Sequence, residues 1–457
     1  MMRNLVLGVA LLGSLGFGMA EAEELSLLDA MSTARNQARE VTAARAQAEA
    51  GAARLKQAKG YRMPQVRFQE IWMTTNTPAE VFALQLNQGV FSFDDFVMSD
   101  PNNPDWFENA TSRFELMLPI YMGGGLSGRI DQAKLAAEAD EIKAAWAADS
   151  AALAAAEAFI RLAQVRENVI LLERSLETVE AHVNIARAYV DQGMLVRSEL
   201  LRAEVEWSRI QDLLQQARGQ AKVAEANLSF RLGADPSMSW ELRQLPDPEP
   251  IAENIEPWLL TAETRADLEA ARRMLSAAEL EVRVKRSALM PKVGLQAKYD
   301  FNDQNLFGTG AHAGSVAAVA SIDIFSGNRH RAAKAAAEAD LEAGRQQLVQ
   351  FEDGIRLSVK DAYETAISAR QRYDTAVAAQ QAALEAERIT EERFKKGVVQ
   401  MIDLLDASTA RQEAETRKLV AAAEAYLATL ELAVRSGRQP ESVLPNPTTS
   451  TSSGTES

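Results

Sequence analysis

The chain has 457 residues, 47% hydrophobic and 25% charged, which is a globular rather than a disordered composition. Its formal net charge of −15 argues against a nucleic-acid partner, whose phosphates require Lys and Arg, and a pore lined by such a chain would favour cations. With no cysteine, disulfides, thiolate catalysis, Cys-ligated zinc and a lipid anchor on an N-terminal cysteine are excluded; His182, His312 and His330 are too scattered for a His-rich metal site, and no cofactor is expected.

Residues 1–22 read as a secretory signal. Arg3 supplies the positive start, Leu5 to Gly18 the apolar run, and Ala20-Glu21-Ala22 the cleavage motif. The run is short of the roughly 20 residues a membrane helix needs, and no later segment is apolar for that long. Export is therefore expected, without a membrane helix.

A first unit follows over 23–245. A helix over about 25–60 ends before Pro64, because the residue preceding proline is pushed out of helical geometry. A β-hairpin over about 64–121 comes next. Phe114, Leu116 and Leu118 alternate there with Arg113, Glu115 and Met117, while Val66, Phe68 and Trp72 share a face with Glu70. Gly123 to Arg129 superficially resembles a phosphate loop but lacks the Lys-Ser/Thr pair, so it reads as a strand-to-helix bend. A helix over about 126–192 reaches Gly193, and a return helix covers about 198–233. Residues 246–257, rich in proline and acid, form a linker expected to loop across the outside.

The second unit, 258–437, repeats the first: a helix over about 257–289, a hairpin over about 291–325, a helix over about 328–396, Gly397, and a return helix over about 400–436. Its strand faces separate Val293, Leu295, Ala297 and Tyr299 from Gly294, Gln296, Lys298 and Asp300, and Val316 to Ile324 alternate likewise. A tail over 438–457, Ser/Thr-rich from Pro445, is expected to be disordered.

The duplication is carried by landmarks in one order. Met63-Pro64-Gln65-Val66 matches Met290-Pro291-Lys292-Val293, and Ile120-Tyr121-Met122-Gly123 matches Ile324-Phe325-Ser326-Gly327. The run from Ala133 to Asp140 matches that from Ala333 to Asp340, and Gly193 with Leu200, Leu201 and Ala203 matches Gly397 with Leu404, Leu405 and Ala407. Each long helix of 65–70 residues would make a rod of roughly 100 Å. Four strands leave open sheet edges that cannot sit in lipid, and small barrels need about eight. Three identical chains would supply twelve, so trimerisation is the simplest closure.

Phe394-Lys395-Lys396-Gly397 followed by Asp403-Leu404-Leu405-Asp406-Ala407 resembles the aromatic-x-x-Gly and Asp-x-x-Asp signature of the TolC-type outer membrane efflux family, and the doubled order of elements extends that resemblance over nearly the whole mature chain. The loop from Leu84-Gln85-Leu86-Asn87-Gln88 to Asp100-Pro101-Asn102-Asn103-Pro104 resembles the long external hairpin loop of some members. The resemblance implies a mostly α homotrimer with β. A twelve-stranded barrel would cross the outer membrane and a long α-helical barrel would span the periplasm. A periplasmic adaptor and an inner-membrane transporter would dock below. It also implies that Asp403 and Asp406 form rings at a gated aperture, that Phe394 takes the place of a gating tyrosine whose hydroxyl it lacks, and that the tips at Gly193 and Gly397 receive the adaptor. The first unit departs from the signature, with Glu199 and Arg202 at the aspartate positions. Asp403 and Asp406, three apart, share a helix face; complementing a helix dipole and ordinary packing of Phe394 are the plainer readings of these residues. An exported coiled-coil adaptor is the alternative function, and no nucleophile, metal or paired-acid motif supports an enzyme.

Overall fold

The computed structural model describes residues 24–94, 97, 100–251 and 254–444. The expected signal segment and the Ser/Thr-rich stretch from Pro445 lie outside these. In chain order the elements are α1 (Leu27–Gln37), α2 (Arg39–Gly60), β1 (Gln65–Thr75), α3 (Pro78–Gln88), β2 (Phe107–Met122), α4 (Gly125–Asp191) and α5 (Arg197–Leu232). The second half supplies α6 (Ile255–Ala262), α7 (Ala266–Ser287), β3 (Lys292–Asp303), β4 (Ala311–Ser321), α8 (Arg329–Lys395) and α9 (Met401–Arg435), then a short 3-10 turn, Pro440–Val443.

Helices α4 and α8, 67 residues each, run the full height, about 100 Å at the usual rise. Beside them α2 and α7 fill the half nearest the sheet, and α5 and α9 fill the half nearest the hairpin tips. The wall is therefore four helices wide throughout. Alanine makes this possible: Ala151, Ala152, Ala155, Ala156 and Ala158 of α4 are all buried, letting neighbours approach closely. Two cores sit at mid-height. One joins Met31, Phe159, Ile160, Leu228 and Leu430; the other joins Trp258, Val359, Tyr373 and Leu432. A third, at the tips, holds Val183, Phe394, Met401 and Leu404.

The sheet is antiparallel in the order β1-β2-β3-β4, and the central β2–β3 pair joins the two units. Its register places Phe68 opposite Phe114, Phe114 opposite Tyr299, and Ala297 opposite Val316, so one face is apolar. The other face carries Arg113, paired with Asp300 at 2.8 Å, and sets Glu115 opposite Lys298. The one irregularity of the β2–β3 register falls at Pro119, which has no N–H to give a ladder. At the base, Gly123 (φ 65°) turns the chain into α4, and a Cβ there would lie 2.5 Å from the Ser287 carbonyl oxygen and 2.8 Å from Met290 Cβ. The bend expected in place of a phosphate loop is thus a tight contact between the two units.

Several expectations need correction. The helix expected over 25–60 breaks at Ala38 (ψ 138°), and that over 257–289 breaks before Ala266. Each break carries the entering segment from the mid-height core to the upper wall. Pro257 lies inside α6, where its missing N–H falls within the first turn and costs nothing, so the linker ends earlier than residue 257. Strand β4 stops at Ser321, leaving Ile322 and Ile324 outside it. The 76–106 connection contains helix α3. Residues 438–444, expected in the disordered tail, are ordered: Arg35 bridges Asp149 and Glu441, both at 2.8 Å, and Val443 and Leu444 pack on the mid-height cores.

The linker is held as a belt. Asp247 accepts the Tyr373 hydroxyl at 2.6 Å, the Pro248 carbonyl accepts from Arg370, and the Pro246 carbonyl accepts from the Tyr426 hydroxyl. Burial, reinforced by Asp247, pushes the Tyr373 phenol up to about 12. Among the described residues no helix is long and apolar enough to cross a membrane, and no cluster of acidic and histidine side chains could hold a metal ion.

Candidate functional site

Both hairpins turn by the same device. At Gly193 (φ 72°) the backbone N–H donates to Val190 O at 2.9 Å and Met194 N–H to Tyr189 O at 2.8 Å. At Gly397 (φ 70°) the N–H donates to Phe394 O at 2.9 Å and Val398 N–H to Arg393 O at 3.0 Å. These paired bonds satisfy the last carbonyls of α4 and α8 and require a left-handed residue. No atom lies within 4 Å of where a Cβ would sit at either glycine, so glycine is present for its conformation and not for room.

Phe394 is only 5% exposed and stacks on Tyr189 with ring centroids 6.1 Å apart. It packs the two hairpins together beside Met401 and Leu404, the plainer of the two readings the sequence allowed. Asp403 and Asp406 are exposed on one side of α9. The Asp403 carboxylate accepts the Gln400 N–H at 2.8 Å, capping the helix start. Among the described residues neither aspartate forms an ion pair. At the equivalent first-unit positions Arg202 lies 3.9 Å from Glu199, so the acidic charge there is compensated within the turn. Of these equivalent positions, only those of the second hairpin carry acid without an ion pair.

Behind the tip lies a cluster that sequence reading missed. Arg411 Nη1 bonds Glu387 at 2.7 Å, and both side chains are nearly buried. His182 is 5% exposed, and neither of its ring nitrogens has a hydrogen-bond partner. Burial holds its pKa below the ordinary value, although Glu387 and Glu391 pull the other way and Arg411 and Lys395 reinforce the shift. A faint signal existed: His182 lies eleven residues before Gly193 and Glu387 ten before Gly397, which sets them at one height on α4 and α8, the two helices that flank α9.

A tall helical wall, glycine-turned tips and a four-stranded sheet open at both edges are the architecture of an outer-membrane efflux channel. The chain belongs to the outer membrane efflux protein family: the family model of that description matches residues 30–234 and 260–438. It is similar to the outer membrane efflux protein BepC of Brucella suis, with 26% identity over 260 residues, 55% of this chain and 56% of that protein, so the match spans about half of each. Its fold is that of the Campylobacter jejuni CmeC outer membrane channel (TM-score 0.78, 15% identity, 95% of this chain and 94% of that one). It is equally that of the outer membrane protein VceC from Vibrio cholerae (TM-score 0.75, 18% identity, 90% and 96%). Membership of this family, with both units matched, removes the coiled-coil adaptor alternative.

Proposed function

We propose that three copies of this chain form the outer-membrane exit duct of a tripartite efflux or type I secretion system. A periplasmic adaptor would dock at the tips around Gly193 and Gly397, and an inner-membrane transporter would supply the energy. The observation that carries this reading is an unmatched half-interface. Within the chain, the turn at Gly123 is filled by Ser287 and Met290 of the second unit. By the internal repeat, Gly327 corresponds to Gly123 and Met63 to Met290. Yet Ile324 and Phe325 are 94% and 82% exposed, and Tyr61 and Met63 more than half exposed. The second turn thus meets the first unit of the next copy, just as the first turn meets the second unit within one chain. The free edges of β4 and β1 pair in the same step and remove the polar backbone edge that lipid forbids.

In this assembly the apolar sheet face meets lipid and the Asp403 and Asp406 side chains ring a periplasmic aperture, where six carboxylates favour cations. Detergent-extracted protein should have three times the mass of one chain and conduct ions in planar bilayers. A monomeric species without conductance would sink the reading.

A further inference from the structure

The connection from β1 to β2 covers residues 76–106, whereas that from β3 to β4 covers only 304–310. Helix α3 in the longer connection does not stand off the sheet. Thr75 Oγ1 donates to Glu80 at 2.6 Å, and Gln88 Nε2 donates to the Glu108 carbonyl at 2.8 Å and to Asn109 Oδ1 at 2.9 Å. Asn109 Nδ2 donates to Thr111 Oγ1 at 2.8 Å, and Thr111 Oγ1 donates to Asn302 Oδ1 at 2.9 Å. By the strand register Thr75, Asn109, Thr111 and Asn302 all project from the face that carries Arg113 and Asp300. Gln88, Asn109, Thr111 and Asn302 are all buried. A satisfied, buried polar network of this kind fixes one arrangement of the helix on the sheet.

That face is the polar one. In a cylinder closed in lipid the apolar face must point outward, so α3 lies inside the mouth, at the rim remote from the long helices. Away from its seat α3 presents Ala79, Ala83 and Leu86, all exposed, Leu86 by 51%. An apolar stripe turned toward the lumen needs a reason, and dimensions supply one. Twelve strands about 4.8 Å apart and tilted by about 40° enclose a circle roughly 24 Å across. Helices about 10 Å wide, three of them seated on that wall, meet near its axis.

We propose that α3 is an outer-mouth constriction, in which the Ala79-Ala83-Leu86 stripes of three copies face one another across the axis. Such a ring narrows the path of hydrated ions without sealing it and yields to amphipathic organic solutes driven from below. The proposal rests on the trimeric duct proposed above. The test uses single-channel conductance of the full-length protein. Leu86→Ser should raise conductance about twofold or more, by wetting the ring. Because the chain has no cysteine, Leu86→Cys offers a unique thiol. A cationic methanethiosulfonate should change its current in up to three steps, while the same treatment of Val66→Cys, on the apolar sheet face, changes nothing. Leu86→Ser conductance equal to that of the unaltered protein would overturn the constriction. Absence of any current from the unaltered protein would instead overturn the duct itself.

Discussion

Asp403 holds two roles that a single substitution to alanine would confound. Its carboxylate caps α9 through the Gln400 N–H and also supplies tip charge. Asp403→Asn with Asp406→Asn keeps a capping oxygen and removes the charge. This double variant should lose divalent-cation block of conductance with stability nearly unchanged, whereas Asp403→Ala should cost about 1 kcal/mol of stability as well. Block that persists in the asparagine variant would remove the aspartates from the aperture. His182 makes a prediction of a different kind. It is neutral in the fold because burial lowers its pKa, while in the unfolded chain it titrates near 6.5. The unfolded state therefore takes up the proton first as pH falls, and stability declines from about pH 6.5 downward. His182→Leu should flatten that part of a melting-temperature profile; an unchanged slope would show that other groups govern it. Neither the burial of His182 nor that of Phe394 was legible in the sequence, because both depend on which helices stand side by side.

At the level of elements, the long helices were legible almost to the residue. Alanine-rich runs ended by a single glycine leave little freedom in where they stop: the expected 126–192 and 328–396 are observed as Gly125–Asp191 and Arg329–Lys395. Gly397→Ala should cost about 1 kcal/mol, since alanine is strained at φ 70°, and Gly193→Ala a similar amount. A calorimetric loss below a few tenths would mean the turn relaxes to another geometry. The breaks at Ala38 and before Ala266 were not legible, because no proline or glycine marks them; packing against the mid-height cores imposes them. Helix α3 was hidden for another reason. Pro78 at its first turn and Gly89 after its last are standard signals, but the family resemblance labelled the stretch from Leu84 onward a loop, which splits the helix. For the belt, Tyr373→Phe removes the bond to Asp247 and should cost about 1–2 kcal/mol and speed proteolysis between Pro246 and Ile251. Unaltered cleavage there would show that Arg370 and Tyr426 suffice.

On the scale of the whole molecule, the duplication makes one chain a set of unequal halves around a single completed seam. The seam at β2–β3 is formed; in the proposed trimer its counterpart is completed by another copy. Phe325→Asp places a charge at the turn where that copy fits, and it should shift detergent-extracted protein from trimer to monomer while the helical content by circular dichroism stays unchanged. A variant that remains trimeric would place the second seam elsewhere. The repeat itself was plain in the sequence, and four strands per chain argued for threefold closure. Which residues would remain bare could be seen only once the first seam was filled.

The belt at Asp247 also fixes a fulcrum. Tyr373 sits 24 residues above Gly397 on α8, which gives a lever of roughly 36 Å below the fastening. A bend of about 10° at that height would displace the tip by roughly 6 Å. In the proposed duct, a bend confined below the fastening would dilate the inner end without disturbing the membrane-embedded end, so that each extremity could open on its own cue.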